Sequence, residues 1–258
     1  MRRRLFLPFA CCLLPLIGGC AKSPAGVTAL NVNRFETVLS LQGNLNTNFY
    51  YGVAFDDSGA GSQGPVAIDG PTPVLNGVMG GTFKLLVLFH ANTFQVFYRP
   101  TPADPTTERE ITGATNLFNT GRFPVATQNG LDFSINLDAQ LSDGTYIFRR
   151  VSTTSATPST QIGVGSLNVN VACTNTVLRS GSNTTLIKPV DALGTQTLST
   201  PTQIFIDSTR PTSVTDAVGD ENLGVDSTFT TPGSNDFVDF STIDLTGLQI
   251  AITRTNTS

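Results

Sequence analysis

The stretch LDFSINLDA (131–139) alternates apolar and polar residues without a break. Leu131, Phe133, Ile135 and Leu137 fall on one side, and Asp132, Ser134, Asn136 and Asp138 on the other. That period of two belongs to a half-buried strand and cannot make one face of a helix. It recurs along the chain. RFETVLSLQG places Phe35, Thr37, Leu39 and Leu41 together, NFYYGVAFDD does so with Phe49, Tyr51, Val53 and Phe55, and SLNVNVACT with Leu167, Val169, Val171 and Cys173. In TFKLLVLFHANTFQVFYRP, Phe83, Leu85, Val87 and Phe89 form one apolar face, and Leu86 and Leu88 make the other apolar too. Such a strand belongs in the middle of a sheet covered on both sides. QIFID and DFVDFSTIDLTGLQIAITR supply further strand signals near the end.

No stretch beyond the first twenty residues carries a 3.6-residue amphipathic period, and no internal repeat has a fixed length. Glu and Lys are few, while Thr, Ser, Asn and Gly are plentiful. The expected fold is all-β, an antiparallel two-sheet β-sandwich of about nine or ten strands. Turn chemistry punctuates it: a hairpin turn near Ala91-Asn92, an Asp143-Gly144 turn before the strand TYIFRRVSTT, and a long Gly- and Pro-rich loop from Asp56 to Gly81. Residues 28–258 read as one domain, with a split near 175–200 as the alternative.

The N-terminus is of another kind. Arg2, Arg3 and Arg4 precede an apolar run from Leu5 to Ile17, too short to span a bilayer, and Gly18, Gly19 and Cys20 follow. Ile17-Gly18-Gly19-Cys20 resembles the lipobox of bacterial lipoproteins. That resemblance implies a signal peptide at 1–19, cleavage before Cys20, acylation of its thiol and new N-terminus, and a lipidated tether at 20–27. It makes the membrane a partner through the lipid anchor. Ala21 in place of Asp resembles the outer-membrane sorting pattern of Gram-negative lipoproteins; in a Gram-positive host the anchor would hold the outer face of the plasma membrane. Removing Arg2, Arg3 and Arg4 takes the basic count from 15 to 12 against 19 acids, a net charge near −7. Nucleic acid is not an expected partner, because it needs basic patches.

Cleavage would also leave Cys173 as the one cysteine not used by lipid, so no intramolecular disulfide forms. On the apolar face of its strand it reads as a buried structural thiol. His90 is the only histidine, no Gly-x-Ser-x-Gly elbow occurs, and one histidine with one buried thiol is too little for zinc. A hydrolase would need two carboxylates from among Asp56, Asp57, Asp132, Asp138, Asp220 and Glu221. Calcium is the one cofactor considered. Asp56 and Asp57 offer oxygen ligands in DDSGAGS, and Asp216, Asp220, Glu221, Asn222 and Asp226 offer more in DAVGDENLGVD. The competing reading of both is an Asx-type turn without metal. For glycan binding by stacking, Tyr50 and Tyr98 are the candidates in a chain without tryptophan.

Asp216, Gly219, Asp220, Asp244, Leu245 and Leu248 resemble the opening turn and strand of DOMON-like β-sandwich modules, relatives of some carbohydrate-binding modules. NFYYGVAFDDSGAGSQGP resembles the later strand and acidic turn of the same modules, but precedes the opening by about 160 residues. This implies either a rearranged sandwich or two unrelated short matches. The whole mature chain is also similar to bacterial lipoproteins with a Tyr-Tyr-x-Val-Ala-Phe-Asp motif, a kinship that implies no activity. The leading expectation is a lipid-anchored, exported envelope protein of non-catalytic binding or structural type, with a polysaccharide or an envelope protein as partner. A glycan-binding surface module, with or without calcium, is the alternative, and a carbohydrate-active hydrolase the second. Cys20→Ala should abolish palmitate labelling and leave the chain unprocessed or released; a membrane-bound, lipid-labelled product would contradict the lipobox.

Overall fold

A computed structural model describes residues 34–58, 62–70, 74–111, 116–118, 120, 124–148, 166–177, 188, 190–193, 202–205, 212–216 and 239–253. Among them lie fourteen strands: β1 (Arg34–Leu41), β2 (Tyr50–Asp56), β3 (Pro65–Ala67), β4 (Met79–Gly81), β5 (Leu85–His90), β6 (Thr93–Tyr98), β7 (Arg109–Glu110), β8 (Val125–Thr127), β9 (Gly130–Asn136), β10 (Ser166–Thr174), β11 (Val190–Ala192), β12 (Thr202–Phe205), β13 (Thr212–Thr215) and β14 (Leu245–Thr253). Two single 3-10 turns, Pro105–Thr107 and Phe240–Thr242, are the helical elements of the described residues. The fold is an all-β sandwich. One sheet has the order β13-β14-β1-β9-β8. The other has seven strands in the order β11-β10-β2-β5-β6-β7, with β12 also paired to β10. β3 and β4 form a separate hairpin. Every ladder is antiparallel, and the first and last described strands, β1 and β14, lie side by side.

The alternating runs place their apolar faces between the two sheets. Phe35, Leu39 and Leu41 of β1 meet Tyr51, Val53 and Phe55 of β2, Leu85, Val87 and Phe89 of β5, and Leu167, Val169, Val171 and Cys173 of β10. Phe35 stacks on Phe55 across the gap, ring centroids 5.8 Å apart, and Phe148 meets Phe35 edge-on. β5 is covered on both sides, as its sequence predicts. Leu86 and Leu88 enter a second core with Ala54, Phe97, Ala172, Val190 and Ala192, closed by Val78, Met79 and Ala67 of the β3–β4 region.

Several expectations need correction. The Gly- and Pro-rich loop contains the β3–β4 hairpin, whose three-residue strands are too short to show a period. Phe83 lies in the second core, not with Leu85, because β5 begins only at Leu85. Asp143-Gly144 does turn the chain: Gly144 has φ +82° and Thr145 N–H donates to Asp143 Oδ1. Of the expected strand, the described residues 145–148 make an isolated bridge, Gln140 to Tyr146, and bury Ile147 and Phe148, while 149–154 lie outside the described residues. Ser134, expected to face outward, is fully buried; Glu36, which binds Arg34 at 2.7 Å, stands opposite it in the register. The β5–β6 turn is Ala91-Asn92, as read, with both residues at positive φ (49° and 61°), the geometry of a type I′ turn.

The hairpin is fastened over the second core by a buried ion pair. Arg99 donates from Nε (2.8 Å) and Nη2 (2.6 Å) to Glu108 Oε2, and from Nη1 to Gly81 O (2.7 Å), while its guanidinium lies 3.7 Å from the Phe83 ring centre. Glu108 Oε1 accepts from both the backbone N and Nδ2 of Asn76 (2.8 and 2.9 Å). Asn76 Oδ1 in turn accepts from Val78 N and Met79 N. The Arg99 and Glu108 side chains are 0% and 1% exposed, so an unpaired member would be a buried charge. Glu108→Gln should therefore lower stability by about 3–5 kcal/mol. Adding Arg99→Met should recover part of that loss, giving a favourable coupling in a double-mutant cycle of urea unfolding. An unchanged urea midpoint for Glu108→Gln would contradict the clamp.

Candidate functional site

Three strands of the smaller sheet meet at one pole. β1 ends there, and β9 and β14 begin there. The connections at this pole line a cleft of about 460 Å³. Gln42, Gly43 and Asn44 come from the segment after β1, Gln128 and Asn129 from the β8–β9 turn, and Asp239, Ser241 and Thr242 from the 3-10 turn before β14. The β1–β2 loop is tied to both neighbours through its backbone. Leu41 N and Leu45 N donate to Asn129 O (2.9 Å) and Gln128 O (2.8 Å), and Gln42 N and Gly43 N to Asp244 O (2.8 Å) and Ser241 O (2.7 Å). Gly43 is required: a Cβ would come within 2.6–2.9 Å of Ser241 atoms. At Gly130 a Cβ would strike Leu39 O. Asp239 caps the 3-10 turn, its Oδ1 accepting from Ser241 N (3.1 Å) and Oγ (2.8 Å). Gln128 Nε2 donates to Asn44 Oδ1 at 3.3 Å.

Tyr51 joins this pole to the core. Its buried hydroxyl donates to Thr242 O (2.9 Å) and accepts from Asn46 N (3.0 Å), and burial raises its pKa beyond the ordinary phenol value. Asp191 of β11 crosses between the sheets: Oδ2 accepts from Leu245 N and Oδ1 from Ala192 N.

The residues singled out in the sequence lie elsewhere. Asp56 is fully buried; Oδ1 accepts from Ser58 N (3.0 Å), closing an Asx turn, and Oδ2 from Asn168 Nδ2 (3.3 Å). Asp57 is 5% exposed. Asp216 follows β13, and its N–H donates to Thr246 O at 3.2 Å. Asp220, Glu221, Asn222 and Asp226, with Cys20, lie outside the described residues. Among those described, no group of three His, Cys, Asp or Glu is placed to hold a metal ion. Asp132 sits on β9 of the smaller sheet and Asp56 on β2 of the larger, so these two potential hydrolase acids stand on different sheets. Tyr98 is buried, 2% exposed, with Lys84 Nζ 5.2 Å and the Arg109 guanidinium 5.7 Å from its ring centre. Its ring is not presented as a stacking platform. Tyr50 is half-buried and stacked on His90, ring centroids 3.9 Å apart, with His90 Nδ1 3.3 Å from Phe49 O. Cys173 is fully buried; burial first, then the Asp191, Asp216 and Asp244 carboxylates, push its thiol pKa well up. That is the opposite of an activated thiolate.

Sequence reasoning passed over every residue of the cleft. Amides and hydroxyls in connections look like ordinary solvated loop residues. The one available signal was Asn129-Gly130, a dipeptide typical of hairpin turns. The comparison with protein-family models found no match, and neither did those with curated proteins and with solved structures.

Lys188 was also unforeseen. It is fully buried, its Nζ donating to Gly77 O (3.1 Å) and its backbone N to Asp69 O (2.9 Å). Burial pulls its ammonium down from 10.5 to about 7, only partly offset by Asp69. The folded value lies below the unfolded one, so between about 7 and 10.5 the unfolded chain holds more protons, and stability falls as pH falls through that window. The slope is at most about 1.4 kcal/mol per pH unit. Lys188→Met should remove it: urea midpoints of variant and wild type should converge toward pH 10.5 and diverge at pH 7, with the variant more stable. Parallel midpoints across that range would contradict this.

Proposed function

We propose that this chain is an exported protein anchored in the bacterial cell envelope by lipid on Cys20, and that it works by binding rather than by catalysis. The sequence supports the anchor, and Ala21 favours the outer membrane in a Gram-negative host. The observation that carries the binding role is the position of the cleft. The chain leaves the anchored segment and enters β1 at Arg34; eight residues later it reaches Gln42. At ~3.3 Å per residue, β1 sets the cleft about 25 Å from the end at which the chain enters. A lipid-held sandwich would thus offer the cleft on the side away from its tether, where loops on a rigid scaffold commonly carry binding. Among the described residues the cleft has one lining carboxylate, Asp239, already engaged as a cap, whereas glycoside hydrolysis uses a pair.

Gln42→Ala/Gln128→Ala tests the reading. Both side chains are exposed, so the double change should leave stability within about 0.5 kcal/mol per site. Vesicles carrying the lipidated wild type, incubated with fractionated envelope material, should retain a component that vesicles carrying the variant lose, and should return it at unchanged mass. Equal retention by both, or recovery of a cleaved product, would overturn the proposal.

A further inference from the structure

We propose that the cleft recognises an uncharged, hydroxyl-rich carbohydrate and grips it by hydrogen bonds without aromatic stacking. The inference rests on the cleft being the binding face, and adds the class of ligand. Four of its lining side chains are amides, Gln42, Asn44, Gln128 and Asn129, and two are the hydroxyls of Ser241 and Thr242. Each amide offers two donor hydrogens and a carbonyl acceptor, while the two hydroxyls, which donate to Asp239 Oδ1 and O, are left as acceptors. A sugar hydroxyl also donates and accepts, so this mixture can meet it in either sense.

The lining also excludes other classes. Among the described residues it contains no Lys, Arg or His, so a uronate, a phosphorylated glycan or a nucleic acid would find no counter-charge there and would meet Asp239. No apolar side chain lines the cleft among the described residues, which withholds the grip that an acyl chain or an apolar peptide segment needs. An added peptide strand would need unpaired backbone, yet the amides of Leu41, Gln42, Gly43 and Leu45 are already committed to neighbouring segments. Those same bonds hold the three lining segments in place before any ligand arrives, which lowers the ordering cost of binding. The volume, about 460 Å³, lies within the range of small-molecule sites. Without an aromatic among its described lining residues one cleft binds modestly, and many copies fixed in one membrane would meet the repeats of a polymer together.

The test uses the full lipidated chain in detergent micelles, run through native gels cast with dextran, mannan, a neutral β-1,3-glucan or polygalacturonate. At least one neutral polymer should retard the wild type, and Gln42→Ala/Gln128→Ala should weaken that interaction about tenfold or more. An unchanged urea midpoint shows that the variant is folded. Retardation by no neutral polymer, retention of full affinity in the folded variant, equal retardation by polygalacturonate, or loss of binding in chelator would each overturn the inference. If vesicles still lose their envelope component on the double change while no neutral polymer binds, the carbohydrate class falls and the binding reading stands; if neither responds, both fall.

Discussion

The larger sheet is apolar on both faces at its centre, and the rest of the molecule answers to that. β5 buries Leu85, Val87 and Phe89 on one side and Leu86 and Leu88 on the other. The first side is met by the second sheet. The other is closed in part by a hairpin of two three-residue strands, far too little to stand alone in water. Its place is specified by Arg99, Glu108 and Asn76, each of whose charges or amides is satisfied within the cluster. Two well-packed apolar residues could give comparable stability. The ion pair adds direction: a guanidinium fixed by one carboxylate, one carbonyl and one ring accepts a single position of the hairpin.

The same sandwich determines what the polar end can do. Antiparallel pairing brings the end of β1 and the starts of β9 and β14 to one place, so their connections face one another without any residue being selected for it. The backbone bonds from residues 41–45 to 128–129 and 241–244 then turn three loops into one wall, and the Tyr51 hydroxyl fixes that wall to the core. The outcome is a rigid base with amide side chains on its rim. That rim presents amide donors and acceptors together with the Asp239 carboxylate.

The sequence made the long elements readable, and physical reasons separate these from the ones it hid. β1, β9 and β10 run seven to nine residues, enough for the period of two to repeat, and their apolar members occupy the shared core. Leu86 and Leu88 disclosed the two-sided burial of β5, and Cys173 its interior place. Strands of two or three residues, such as β3, β4 and β7, carry no period at all. Arg99 follows Phe97-Tyr98 and Lys188 sits in Leu-Ile-Lys-Pro-Val, yet nothing in the sequence ties the one to Glu108 or the other to Gly77 until the fold buries them. Tyr98 lies in the core between the sheets, while Tyr50 packs at the margin of the second core. Alternation separated the faces of a strand, but not which aromatic ends up covered. The cleft was hidden for the same reason: its residues come from three segments up to two hundred positions apart and are unremarkable singly.

The claim that binds these observations together is that the loop pole at the end of β1 is the recognition face. The direct measurement is a nitrogen-15 spectrum of the full chain in micelles, with side-chain amides assigned, recorded while neutral oligosaccharide is added. The account predicts shifts confined to the side-chain amides of Gln42, Asn44, Gln128 and Asn129 and the backbone amide of Gly43. Shifts clustered instead around Tyr50 and His90, or around Asp56, with the cleft amides unmoved, would contradict it.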